Sequence, residues 1–167
     1  MTKRYVVMGV SGCGKSSIGQ MLAEKLGLKF FDGDDYHPPE NVAKMRSGQP
    51  LNDDDRAGWL ATLNKLLCDE PSAVLACSSL KPAYRQTLRQ GNDAVFIYLK
   101  GDIDTIWQRH SQREGHYFNG RGMLESQFSE LIEPGADEAV QVCIDQPCEA
   151  VVEAILVALR KKAEASG

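Results

Sequence analysis

Short apolar runs alternate along this chain with longer segments in which apolar residues recur every three or four positions. Tyr5 to Met8 is an apolar run that stops at Gly9. Lys15 to Leu26 then has helical spacing through Ile18, Leu22 and Leu26, with Gly27 placed as a C-cap. Leu28 to Phe31 reads as a second strand, and Asn41 to Arg46 as a short helix closed by Ser47-Gly48. Asp53 to Cys68 carries Trp59, Leu60, Leu63, Leu66 and Leu67 on one broad face. Ala73 to Cys77 and Ala94 to Leu99 read as strands around a helix at Pro82 to Arg89. A helix at Asp102 to Arg113, a glycine-rich stretch from Gly115 to Gly122 and a helix at Leu124 to Ile132 follow. Val140 to Ile144 is a fifth strand, and Glu149 to Lys162 closes the chain as an amphipathic helix. Strands of four to six residues alternating with helices imply βαβ units. The expectation is a three-layer α/β fold with a five-stranded, mostly parallel sheet flanked by helices. With no repeat or linker, residues 1–167 form one domain.

Composition narrows the partners. A net charge of -4 gives no basic footprint, which argues against nucleic acid. No apolar run approaches the roughly 20 residues that span a bilayer, and the N-terminal apolar run is too short for a signal peptide. Five cysteines (Cys13, Cys68, Cys77, Cys143, Cys148) are an odd number without C-x-x-C spacing, and none pairs with a histidine at metal-ligand spacing. Free thiols in a reducing cytoplasm are expected.

The run Gly9-Val10-Ser11-Gly12-Cys13-Gly14-Lys15-Ser16 fits the phosphate-binding pattern G-x-x-x-x-G-K-[ST], between a strand and a helix. Its glycines let backbone N–H groups curl around the phosphates of ATP, and the following helix N-terminus adds free donors. Lys15 places positive charge on the transferring group, Ser16 is a hard-oxygen ligand for Mg2+, and Ser17 extends the cradle. A GTPase switch needs an Asn-Lys-x-Asp run, whereas Asn64-Lys65 here precedes Leu66-Leu67 within a helix. Motor ATPases carry an acidic pair at a strand end, but the third strand ends Cys77-Ser78-Ser79. A small-molecule kinase fits better.

The second strand ends Phe30-Phe31-Asp32-Gly33-Asp34-Asp35. Two residues apart at a strand end, Asp32 and Asp34 are expected to face the same side of the ligand crevice. Asp32 is then a candidate for the magnesium shell, and Asp34 for positioning the acceptor hydroxyl; the plainer reading is an acidic turn around Gly33.

Further residues resemble the gluconate kinases among the P-loop kinases: Asp32-Gly33-Asp34-Asp35-Tyr36-His37-Pro38, Lys44-Met45, Gly48 through Arg56, and Trp59-Leu60. Ala76 through Lys81, Tyr84-Arg85, Leu99-Lys100-Gly101, Gly115-His116, Ser126-Gln127-Phe128 and Glu133-Pro134 extend the resemblance over nearly the whole chain. It implies a shikimate-kinase-like P-loop NTPase fold with a mobile lid at about 114–125, and usually a homodimer. The implied reaction is ATP plus D-gluconate giving 6-phosphogluconate. Other readings are shikimate or another small-metabolite kinase, and a nucleotide-binding regulatory protein.

A sugar acid offers a carboxylate and a row of hydroxyls. Arg56 suits bidentate capture of the carboxylate, while Asp34, His37 and Lys81 suit hydroxyls or charge. Asn52 and Asp55 read as a helix N-cap and its third-position acid, with Asp53 and Asp54 favouring the helix dipole. Trp59 reads as core, and Tyr84 and Arg85 as easily as helix surface. Arg109 and Arg113 share a helical face just before the glycine-rich segment. Either can bring charge to the phosphates as the lid closes, with Arg113 the catalytic candidate and Arg109 the ATP-binding one; the plainer reading is a favourable helix C-terminus. Asn119 to Gly122 departs from the family pattern in the lid, and Cys13 departs from it within the P-loop.

Overall fold

The computed structural model describes residues 3–10, 13–49, 51–111 and 121–166, without the side chains of 3, 109–111, 121–123 and 163–166. Five strands, β1 (Lys3–Met8), β2 (Lys29–Asp32), β3 (Ser72–Ala76), β4 (Val95–Lys100) and β5 (Ala139–Cys143), form one sheet in the order β2-β3-β1-β4-β5. All four pairings are parallel, with Val6 opposite Leu75 and Val7 opposite Ile97 around the central strand. Every strand therefore ends at the same edge of the sheet, where the loops that bind ligands in such folds lie.

The helices are α1 (Lys15–Leu26), α2 (Pro39–Arg46), α3 (Asp53–Asp69), α4 (Pro82–Arg89), α5 (Ile103–Ser111), α6 (Arg121–Glu130) and α7 (Cys148–Ser166). Alternation along the strands supplies two cores. Val7, Val74, Ile97, Leu99 and Val142 face Ile18 and Leu22 of α1 and Val151, Val152 and Ile155 of α7. Val6, Met8, Leu75, Phe96 and Tyr98 face Trp59, Leu60 and Leu63 of α3 and Tyr84 and Leu88 of α4. A sheet apolar on both faces and covered on both is the three-layer arrangement that the sequence pattern demands.

Local signals act as their chemistry dictates. Gly27 ends α1 in the left-handed conformation, and its N–H caps the last turn. Asn52 and Asp55 form a reciprocal capping box at the start of α3, an arrangement worth about 1 kcal/mol. All five cysteines are free thiols. Burial pushes the Cys77 thiol up to about 11, which leaves it unreactive near neutrality.

Two expectations are corrected. Tyr84 and Arg85 do not lie on a helix surface: Tyr84 is buried, and Arg85 is among the largest fully buried side chains of the described residues. Arg85 spans two loops, donating to the Ser79 and Ile132 carbonyls at 2.9 and 3.0 Å and to Glu138 at 2.9 and 3.3 Å. Asp34, in turn, is not an alternate strand position. β2 stops at Asp32, and residues Gly33–Tyr36 turn through a single 3-10 coil capped by the Asp32 carboxylate, which accepts from the Asp34 N–H at 3.0 Å. Gly33 is required there, because a Cβ would lie 2.7 Å from the Ala76 carbonyl oxygen.

Candidate active site

The phosphate loop leaves β1, the middle strand, and enters α1. Gly9 has φ 154°, and a Cβ there would meet Cys13 Sγ at 2.7 Å and the Leu99 carbonyl at 3.1 Å, so the turn admits no side chain. Gly14 caps α1 at φ 92°, leaving the helix N-terminal N–H groups without a side-chain cap. Cys13 is fully buried in the core with Val10 and Ile18, so its thiol is turned beneath the loop and shielded from solvent. Ser17 is exposed on the first turn of α1, and Ser11 and Gly12 lie outside the described residues.

Lys15 and Ser16 meet the end of β2. The Ser16 hydroxyl donates to Asp32 Oδ2 at 2.8 Å, while Asp32 Oδ1 holds the turn that carries Asp34. Burial alone would lower the Lys15 ammonium, but neighbouring acidic groups, the Asp34 and Asp32 carboxylates among them, outweigh it and hold Lys15 above its ordinary value. It is thus a firm cation. Asp32 and Asp34 do converge on Lys15, although a turn rather than strand alternation brings them there.

A narrow cleft opens beside this point, lined by Lys15, Asp34, His37, Leu51, Arg56, Trp59, Ser78, Leu80 and Gln127. Three of the proposed substrate contacts, Asp34, His37 and Arg56, share it. His37 stacks flat on Trp59, with ring centroids 4.1 Å apart, and Trp59 Nε1 donates to the Gly33 carbonyl at 2.7 Å. Burial and the neighbouring Arg56 pull His37 down to about 4, so the ring is neutral near pH 7. Arg56 is buried; its Nη1 accepts no proton but donates to Tyr84 Oη at 2.9 Å and pairs with Glu130 at 3.0 Å.

Lys81 is set apart. It borders an open recess with Asn52, Asp53, Asp54 and Glu130, and its Nζ holds Asp53 at 3.0 Å. Tyr84 separates it from the cleft, with Lys81 and Arg56 both beside the ring. Asp53 therefore does more than favour a helix dipole: Tyr84 and Lys81 both donate to it and hold its carboxyl below the usual range. Arg113, Asn119 and Gly120 lie outside the described residues, Arg121 and Gly122 open α6 without described side chains, and the side chain of Arg109, on α5, is likewise not described.

Sequence reasoning missed Ser78 and Gln127 as lining residues. The rule that strand ends carry the site would have found Ser78, two residues past β3. Gln127 gave no periodic signal of its own. Asn41, a nearly inaccessible polar residue on α2, was also missed; its amide donates to the Asp55 carbonyl at 2.8 Å and lies 3.3 Å from His37 Nδ1.

Known proteins resemble this chain in sequence and in fold. The shikimate kinase family model matches residues 11–160. The chain is 48% identical over 164 residues to the thermoresistant gluconokinase of Escherichia coli (strain K12), covering 94% of this chain and 93% of that protein. This chain belongs to the gluconokinase family. A probable gluconokinase of Mus musculus is 43% identical over 93% of this chain and 96% of its own length. The crystal structure of a gluconokinase from Sinorhizobium meliloti 1021 superposes with a TM-score of 0.91 at 41% identity, covering 97% of this chain and 94% of that one. Shikimate kinase from Aquifex aeolicus, at 17% identity and a TM-score of 0.68, shares the fold.

Proposed function

We propose that this chain transfers the γ-phosphoryl group of ATP to the 6-hydroxyl of D-gluconate, giving 6-phosphogluconate and ADP. The observation that most supports this reading is the single cleft in which the P-loop lysine meets an acid, a neutral histidine and a buried arginine. In this reading Lys15 neutralises charge on the transferring phosphoryl group, and Asp34 orients the acceptor hydroxyl. An alcohol is far less acidic than a carboxylic acid, and phosphoryl transfer has a loose transition state, so Asp34 works by position rather than by early deprotonation. Arg56 takes the substrate carboxylate, which requires that it exchange Glu130 for the ligand. Lys81, paired with Asp53 behind Tyr84, acts at most through these two residues and does not touch the sugar acid directly.

The donor set beside the P-loop fits Mg2+. Ser16 and Asp32 already place two hard oxygens 2.8 Å apart, and they would hold the ion. Bound there, Mg2+ would screen phosphate charge. Arg113 and Arg109 would bring further charge as the lid closes over ATP. The reading includes a cytoplasmic location and a homodimer, the second of which light scattering on the purified protein tests.

The reaction itself is tested by incubating the protein with Mg-ATP and D-gluconate and following phosphorus by NMR. A new phosphomonoester coupled to the C6 protons is the expected result. Release of inorganic phosphate alone would contradict it.

A further inference from the structure

His37 faces the cleft on one side and Asn41 on the other. His37 lies just before α2 and Asn41 in its first turn, and the Asn41 amide nitrogen lies between two atoms: the Asp55 carbonyl oxygen at 2.8 Å and His37 Nδ1 at 3.3 Å. A carbonyl oxygen only accepts, so the group facing it must be the NH2 of Asn41 and not its oxygen. The orientation of the amide is thereby fixed. Its second N–H points at His37 Nδ1, which must accept, and an accepting Nδ1 carries no proton. In a neutral imidazole the proton then resides on Nε2.

Two neighbours, Trp59 and Asn41, keep the ring in that pose. Trp59 stacks on it within 16° of parallel, and Trp59 is itself anchored to the Gly33 carbonyl. Asp55, whose carbonyl orients Asn41, is locked in the α3 capping box and by Lys44 at 2.7 Å. Nε2 lies 3.8 Å from Asp34 Oδ1, too long for a direct hydrogen bond but close enough for one ligand oxygen to touch both groups.

Resting on the reading of the cleft as a sugar-acid site, we propose that Asn41 is a positioning residue that fixes His37 as the Nε2–H tautomer. The ring thus offers the sugar acid a directed N–H donor. His37 then recognises an oxygen lone pair next to the hydroxyl that Asp34 addresses, and it is not the base of the reaction. Burial and Arg56, which keep the ring neutral, are consistent with this role.

The test reads the tautomer directly, without substrate, by long-range 1H–15N correlation of the imidazole rings near pH 7. The His37 signals are assigned by their loss in His37→Gln. The expected pattern is a protonated Nε2 and an unprotonated Nδ1 in the wild-type protein. Asn41→Asp, which can only accept at Nδ1, should move the proton to Nδ1 or make the ring an imidazolium. Asn41→Ala should give exchange between tautomers. A wild-type ring protonated at Nδ1 would overturn the proposal, as would an Asn41→Asp spectrum unchanged from wild type.

In turnover assays Asn41→Ala should raise KM for gluconate by about a few-fold, the inverse of the fraction of rings that remain in the Nε2–H tautomer, while KM for ATP stays unchanged. Equal effects on both substrates would mark Asn41 as merely structural and overturn the positioning role. Failure of gluconate as a substrate, with the tautomer pattern intact, would instead reject the sugar-acid reading and leave the Asn41–His37 assignment standing.

Discussion

Arg85 offers the sharpest test of how the site's frame is held. Its guanidinium is enclosed between the loop after β3 and the connection from α6 to β5, and it makes four hydrogen bonds there. One of those acceptors is the carbonyl of Ser79, a non-glycine residue with φ 49°. Ser78, beside it, lines the cleft. Arg85→Met keeps most of the volume and removes the charge. Breaking a buried ion pair from one side costs roughly 3–5 kcal/mol. Glu138 is partly exposed and keeps Arg89 at 3.6 Å, so the lower end, about 3 kcal/mol, is expected. In a chain of this length that is a fall in Tm of roughly 6–12 °C. Equilibrium denaturation in urea measures it. The double variant Arg85→Met with Glu138→Gln should recover part of the loss, because the stranded charge is gone. A loss below about 1 kcal/mol for the single variant would refute the clamp.

Other outcomes follow from particular contacts. Lys15→Ala should abolish phosphotransfer while the fold, measured by circular dichroism, persists. Asp34→Asn should cut kcat far more than it weakens ATP binding; unchanged turnover would remove Asp34 from the reaction. Gly33→Ala drives a Cβ into the Ala76 carbonyl and should cost about 1–3 kcal/mol in urea unfolding, with reduced turnover as the Asp34 turn shifts. For His37 the folded value of about 4 lies below the ordinary 6.5, so between these the unfolded chain binds a proton that the folded one does not. Stability should therefore decline as pH falls from 6.5 to 4, by up to about 3 kcal/mol from this ring. His37→Gln should flatten that slope, and an unaltered pH profile of unfolding would contradict the assignment.

The elements were legible where periodicity and punctuation agree. Pro82 and Arg89 bound α4 as the sequence reading has them, and Lys15–Leu26 stops at its glycine cap. The phosphate cradle needed only its motif and the elements around it. The turn Gly33–Tyr36 was not legible, since four residues carry no period and the side-chain cap from Asp32 is a tertiary detail. Arg85 was misjudged because arginine is rarely enclosed. A signal was nonetheless present, since Arg85 stands three residues before Leu88, on the apolar side of α4. The separation of Lys81 from Arg56 depends on Tyr84 standing between them, which no local pattern encodes. The role of Asn41 likewise arises from a carbonyl fourteen residues away.

The most direct test of the central claim is coupled ADP release with Mg-ATP against D-gluconate, shikimate, glycerate, gluconic-acid epimers and a blank without acceptor. The account predicts turnover that depends on gluconate and falls to the blank with shikimate. Turnover with shikimate and none with gluconate would contradict it, and so would bound ATP with no acceptor-dependent release at all.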